Sequence, residues 1–419
     1  MTSTIDEALS HYAELAIKVG LNLQPGQRLM ITDIHRGGVP LEIAPLVRWL
    51  TAHAYAAGSP LVQVVWRDDA LLRARFEHAP RDSFGEYPDW VARGLLEHAQ
   101  QGGAHLTILA ANPDLLNDQD PALVASVQKL AWERNREVRD LFVRSAVNWL
   151  AISAAYPGWA AKVFPDVPPE AAVARLWEAL FRVCRVDRAD PVAAWREHIR
   201  QLVARCDRLN DRGYRALHFT GPGTDLTLGL PRGHRWMSAR FASERGVEFT
   251  ANLPSEEIFT LPHLAQTEGV VTATRPLNYG DSLIEGFRVT FAGGRAVDVT
   301  ARTGEAVLRS LLDADEGARR LGEVALVPHS SPVSQSGLTF YNTLLDENCA
   351  SHVALGEAYR FSLRGGEKMT HGEFAAAGGN LSLVHVDFMI GSGDVDVDGL
   401  TEAGSSEPIM RRGEWAFEV

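Results

Sequence analysis

From Ile5 to Cys184 the chain alternates two kinds of segment, and that alternation limits the folds open to it. Ile5–Val19 has apolar residues at helical spacing, with Ile5, Leu9, Tyr12, Ala13 and Ile17 on one stripe and Gly20 placed to end the helix. After the Pro25-Gly26 turn, Arg28–Thr32 is an apolar run of strand length. Leu41–Ala57 reads as the next helix and Leu61–Trp66 as the next strand. The pattern continues with helical Leu95–Gln100, the strand His105–Leu109, a long helix over Pro121–Val143 and the strand Trp149–Ala154. Buried strands separated by helices predict an α/β unit built on a mainly parallel sheet. Ala171–Cys184 and Pro191–Leu209 are two further helices. Beyond Gly213 the texture changes to short β-branched or alternating runs between Gly and Pro turns, among them Ala216–Thr220, Leu226–Leu228, Val270–Ala273, Gly286–Phe291 and Arg295–Thr300. That pattern predicts an α+β unit. The expected division is residues 1–187 for the α/β unit and residues 188–419 for the α+β unit, which carries the chemistry.

Composition removes several function classes. The net charge is −12, so the surface repels phosphate backbones and nucleic-acid binding is not expected. The three cysteines, Cys184, Cys206 and Cys349, have no CxxC spacing. This argues against a disulfide framework or a thiolate zinc site and for a reducing cytoplasm. Neither a membrane-spanning run nor a secretion signal is recognisable. The sequence also lacks H-E-x-x-H, G-x-S-x-G, the P-loop pattern and G-x-G-x-x-G.

What remains is a set of acids and histidines in the second half. His385 and Asp387 lie two apart in the apolar run Leu381–Ile390, so on a strand they project from one face. A carboxylate in such a run is costly unless it is paired or metal-bound. A hydrogen-bonded His–Asp pair holding the core satisfies the same pattern. Glu347 and His352 are five apart, which suits a turn better than a regular helix, and Glu323 interrupts the apolar run Leu321–Val327. Glu256 and Glu257 adjoin each other before Ile258-Phe259, where an extended chain turns only one of them toward a given site. Oxygen-rich ligation with a minority of imidazole suits Zn, Mn or Co, and the number of carboxylates favours two cations. Asp394–Gly399 matches the first half of an EF-hand loop, but position 12 is Ser405, so a strand with an acidic turn is the stronger reading.

These segments resemble the M29 aminopeptidases. The resemblance begins at Tyr12–Leu23, returns at Asn252–Phe259, Glu323–Pro328, Tyr341–Asn348 and His352–Tyr359, and closes with His385–Gly391 and Gly413–Ala416. It implies a metallo-aminopeptidase with two divalent metal ions (Zn, Co or Mn) per chain, ligated by Glu257, Glu323, His352, His385 and Asp387 together with Glu347. It further implies that Glu323 bridges, that Tyr359 stands beside the metals, and that the enzyme is a homodimer acting on short peptides with a free N-terminus. His329 is left out of the site. Glu256 is the candidate general base, since it adjoins Glu257, although a strand would turn it away. Iron-dependent ring-cleaving dioxygenases resemble the same family and use part of a similar constellation. A silent peptide-binding homologue is the remaining alternative.

Overall fold

The computed structural model describes residues 4–279 and 282–419, and the chain divides into two compact units. One holds the residues up to His198 together with Arg240–Pro254; the other holds Ile199–Ala239 and Ser255–Val419. Against an expected junction after residue 187, the first unit takes back a later segment. Its two-residue strand Asn252–Leu253 is too short to show a period of its own in sequence.

The sheet of the first unit is parallel throughout, in the order Asn252–Leu253, Trp149–Ser153, Ala104–Leu109, Leu29–Thr32, Val62–Val64. Leu29, Ile31, Leu106, Ile108, Leu150 and Ile152 are fully buried in it, as expected for strands covered on both sides. Two helices depart from expectation. The segment Pro121–Val143 forms two helices, Pro121–Arg134 and Arg136–Val143, parted at Asn135. The buried Asn135 amide donates to the carbonyl of Ile34 and the hydroxyl of Tyr87, and such side-chain bonding competes with helix continuation. The first helix runs α-helically over Ile5–Leu15 and widens into a π turn at Ala16–Gly20.

The second unit is built on antiparallel sheets of eight and four strands, with a separate two-stranded ribbon of Leu277–Tyr279 and Ser282–Ile284. Eight strands run in the order Arg295–Thr300, Arg288–Ala292, Thr267–Thr272, Thr224–Gly229, Ala216–Gly221, Asp396–Leu400, Ser406–Arg411, Glu414–Trp415. Four more run in the order Ile258–Thr260, Leu321–Leu326, His352–Gly356, His385–Met389. One apolar cluster joins residues of both sheets, including Phe219, Phe291, Val324, Leu355 and Phe388. The acidic run Asp394–Gly399 leads into the strand Asp396–Leu400, where Asp398 pairs with Arg411 and Asp396 accepts the N–H of Arg412, while Asp394 is exposed before it.

The smaller sheet separates two chemistries by alternation. Val324, Leu326, Val353, Leu355 and Phe388 turn into the apolar cluster. Glu323, His352, His385 and Asp387 occupy the opposite face, because Glu323 and Asp387 both pair laterally with Ala354 while Ala325 pairs with His352. The residues between these groups are small (Ala325, Ala354 and Gly356), leaving room above the face. Gly356 has φ of +106°, and a Cβ there would overlap the carbonyl oxygen of Val384, the residue before His385. Gly356→Ala is therefore expected to cost at least about 1 kcal/mol, a loss of several degrees in Tm readable by calorimetry of the metal-free protein. An unchanged Tm would show that the strand carrying His385 shifts without strain.

Candidate metal centre

Every group of the centre belongs to the second unit. Glu257 lies in the short connection before the Ile258–Thr260 strand, and Glu323 in the Leu321–Leu326 strand after a bulge. His352 opens its strand, while His385 and Asp387 stand at alternate positions of the next. Glu347 occupies a single 3-10 turn after the short helix Thr343–Asp346. That turn is shaped by Asp346, whose carboxylate accepts the N–H groups of Phe340 and Asn342 at 2.7 and 3.0 Å. Burial raises Asp346 to about 6 despite those bonds.

Glu323 sits at the middle. Its Oε1 is 3.6 Å from Nε2 of His352, and its Oε2 is 3.7 Å from Nε2 of His385. His352 Nε2 also lies 3.2 Å from Glu257 Oε2, and His385 Nε2 lies 3.6 Å from Asp387 Oδ1. One carboxylate thus has an oxygen turned to each of two His–carboxylate pairs. Ligand atoms from Glu257, Glu323 and His352 all lie within 4.8 Å of one another, so these residues could hold a cation.

Both histidines are oriented by main-chain carbonyls. Nδ1 of His352 is 3.0 Å from the oxygen of Ala350, and Nδ1 of His385 is 2.8 Å from that of Glu357. A carbonyl only accepts, so each Nδ1 carries a hydrogen, and each Nε2 faces carboxylate oxygens. A neutral imidazole would then set a lone pair against anionic oxygens. Protonation or a cation between them relieves that repulsion. Glu257 Oε2 and Asp387 Oδ1 are buried, and the neutral imidazoles of His352 and His385, with Nε2 at 3.2 and 3.6 Å, offer them no hydrogen. Buried polar atoms of this kind are normally satisfied, and a cation satisfies both.

The charges of the centre do not balance by themselves. Glu257, Glu323, Glu347 and Asp387 all act on Tyr359, and among the described residues His352 and His385 pair with them. Burial and then the charges of Glu257 and Asp387 push Glu347 well above the carboxylate range. Burial likewise raises Glu323, with Asp387 adding to it against the opposing hydrogen bond from His352. Burial works against protonating His352, yet its contacts with Glu257 and Glu323 carry it well above the usual value. For His385 burial also opposes, and the charge of Asp387 outweighs it, to about 10. Asp387 is in turn lowered, His385 overcoming its burial. The side chains of Glu257, Glu323, His352 and Asp387 are 11, 7, 1 and 9% exposed, so water does little of this work.

Tyr359 lies against this group. Its ring is 4.8 Å from that of His385 and stacks on Phe361 at 5.2 Å. Desolvation first, then the charges of Glu323 and Asp387, hold its phenol protonated far above the usual range. Glu256 is buried beside Glu257, and its N–H is taken by the side chain of Asn348 at 2.6 Å. His329 is engaged elsewhere, with Nδ1 at 3.3 Å from the hydroxyl of Ser334. Sequence reasoning missed the carbonyls of Ala350 and Glu357, because a carbonyl has no residue-type signature. It also missed Asn348, which nothing distinguishes from a turn asparagine.

A family model described as thermophilic metalloprotease (M29) matches residues 5–415. Aminopeptidase 2 of Geobacillus stearothermophilus is 48% identical over 414 residues, covering 99% of each chain. Aminopeptidase T of Thermus thermophilus is 46% identical, covering 97% of this chain and 98% of its own. The solved structure of wild-type AmpT from Thermus thermophilus superposes with a TM-score of 0.92 at 45% identity, covering 99% of this chain and all of that one. With the match running through every strand that builds the centre, the chain belongs to the thermophilic metalloprotease (M29) family.

Proposed function

We propose that this chain is an aminopeptidase that removes the N-terminal residue of short peptides with two divalent cations sharing Glu323. The observation that carries the reading is the placement of Glu323, one oxygen toward His352 and Glu257 and the other toward His385 and Asp387. Glu257, Glu323 and His352 would hold one cation, and Glu323, His385 and Asp387 the other, with Glu347 completing the set. The mixed carboxylate and imidazole donors suit zinc, cobalt or manganese. Relatives named aminopeptidases, at 42 to 48% identity over nearly the whole chain, support this reading over a ring-cleaving dioxygenase. A cytoplasmic homodimer completes the proposal. The three cysteines are buried and in no disulfide among the described residues, where no helix is long and apolar enough to cross a membrane.

Bound cations supply Lewis acidity, polarising the scissile carbonyl and lowering the pKa of the attacking water. Tyr359 keeps its proton beside the anionic cluster, so its hydroxyl donates to the oxyanion that develops on the carbonyl. Glu256 is assigned to take the proton of the water and pass it to the leaving amine. A carboxylate of the centre accepts the substrate's α-ammonium, which restricts cleavage to a free N-terminus.

Chelation is expected to abolish hydrolysis of amino-acid anilides, and added divalent metal to restore it. Glu323→Gln should lower kcat about 100-fold or more while the fold persists by circular dichroism; full activity would remove Glu323 from the bridging role. Tyr359→Phe should lower kcat about 100-fold with metal content unchanged, as removal of an oxyanion donor does. An unchanged kcat would make Tyr359 a packing residue.

A pH dependence follows for the metal-free protein. His385 is raised to about 10 from an ordinary 6.5, so its protonation stabilises the fold fully below about 6.5 and is lost as pH rises through 10. Melting curves of chelated protein between these values should fall with pH more steeply for wild type than for His385→Gln. Equal slopes would remove the interaction of His385 with Asp387 as the cause.

A further inference from the structure

With a cation between them, the 3.2 Å contact of Glu257 Oε2 with His352 Nε2 would no longer fix where Glu257 stands. Its backbone does. On the C-terminal side, Ile258 pairs with Leu326 in the sheet. On the N-terminal side, the N–H of Glu256 donates to Oδ1 of Asn348 at 2.6 Å. Asn348 is completely buried, and its Nδ2 donates to the carbonyl of Leu344 at 2.8 Å. A main-chain N–H and a main-chain carbonyl thus meet opposite ends of one amide, and together they fix its orientation. The carbonyl of Asn348 also accepts the hydroxyl of Ser331, at 3.2 Å.

Asn348 directly follows Glu347 in the chain, and its amide grips the residue directly before Glu257. The two carboxylates lie 90 residues apart in sequence, on a strand connection and on a lone 3-10 turn. No sheet pairing joins that turn to the connection among the described residues. The amide bridges them. We propose that Asn348 is a positioning residue for metal binding, locking Glu257 against Glu347 so that both carboxylates meet the same cation-binding space. Cation–oxygen distances tolerate only a few tenths of an ångström, so slack at this one bridge reads out as affinity. No other common side chain reproduces the bridge at this length. Alanine removes both bonds, and aspartate keeps an oxygen for Glu256 but cannot donate to Leu344. The inference rests on the reading of Glu257 as a ligand, and the test separates the two.

The experiment is a competition titration of zinc against a chromophoric chelator, using full-length protein stripped of metal. The wild type is compared with Asn348→Ala, Asn348→Asp and Glu257→Gln, and each stripped protein is melted in parallel. Asn348→Ala is expected to fold, with a lowered metal-free Tm, and to bind zinc about 10- to 100-fold more weakly, the effect of losing a group that orients a ligand. Asn348→Asp should retain more affinity than the alanine variant, because an oxygen still receives the Glu256 N–H. Wild-type affinity in Asn348→Ala alongside weakened binding in Glu257→Gln would overturn the positioning role and leave the ligand reading standing. Wild-type affinity in Glu257→Gln would overturn both. Should the alanine variant fail to fold, Asn348→Asp decides: a loss of affinity of about tenfold, short of that in Glu257→Gln, supports the bridge, and wild-type affinity overturns it.

Discussion

The structure of the second unit is organised around a charge problem. Glu257, Glu323, Glu347 and Asp387 converge where water is nearly excluded, and among the described residues His352 and His385 stand against them. Desolvating such charges costs on the order of several kcal/mol per ion unless partners return it. Burial and mutual repulsion raise Glu347 and Glu323, so without a cation the cluster relieves its charge by holding protons. Glu257 Oε2 and Asp387 Oδ1, buried 3.2 and 3.6 Å from Nε2 of His352 and His385, mark where a cation would relieve that charge instead. Divalent cations resolve it, and the histidines are already turned to present Nε2 to them.

The sheet makes this burial tolerable. Period-two alternation lets one set of strands send Val324, Leu326, Val353 and Leu355 into the core while their neighbours build a polar face. Alanine and glycine between the ligand positions keep that face open. Antiparallel pairing fixes Glu323 and Asp387 on either side of Ala354. Three paired strands hold Glu323, His352, His385 and Asp387, whereas the Glu257 connection and the Glu347 turn need a clamp of their own. Asn348 serves as that clamp.

Much of this was legible because strands obey a short rule. His385-Val386-Asp387 in an apolar run already placed two polar groups on one face, and Glu323 in Leu321–Val327 showed the same mismatch between residue and surroundings. Nothing local tied those strands together, since register belongs to the tertiary fold. The proximity of Glu257 and Glu347 was illegible for the same reason, and resemblance to a family supplied what spacing could not. In the first unit the parallel sheet was readable from alternating runs. The break at Asn135 was not, because it depends on partners at Ile34 and Tyr87 far away in sequence. The Asn252–Leu253 strand carried no signal at all. A two-residue strand is recognised only by the neighbour it pairs with.

The most direct test of the account is anomalous diffraction from crystals of the metal-loaded protein, collected at the absorption edge of the metal. The account predicts two peaks per chain on either side of the Glu323 carboxylate, one beside Glu257 and His352 and the other beside His385 and Asp387. A single peak at full occupancy, or metal bound away from Glu323, would contradict it.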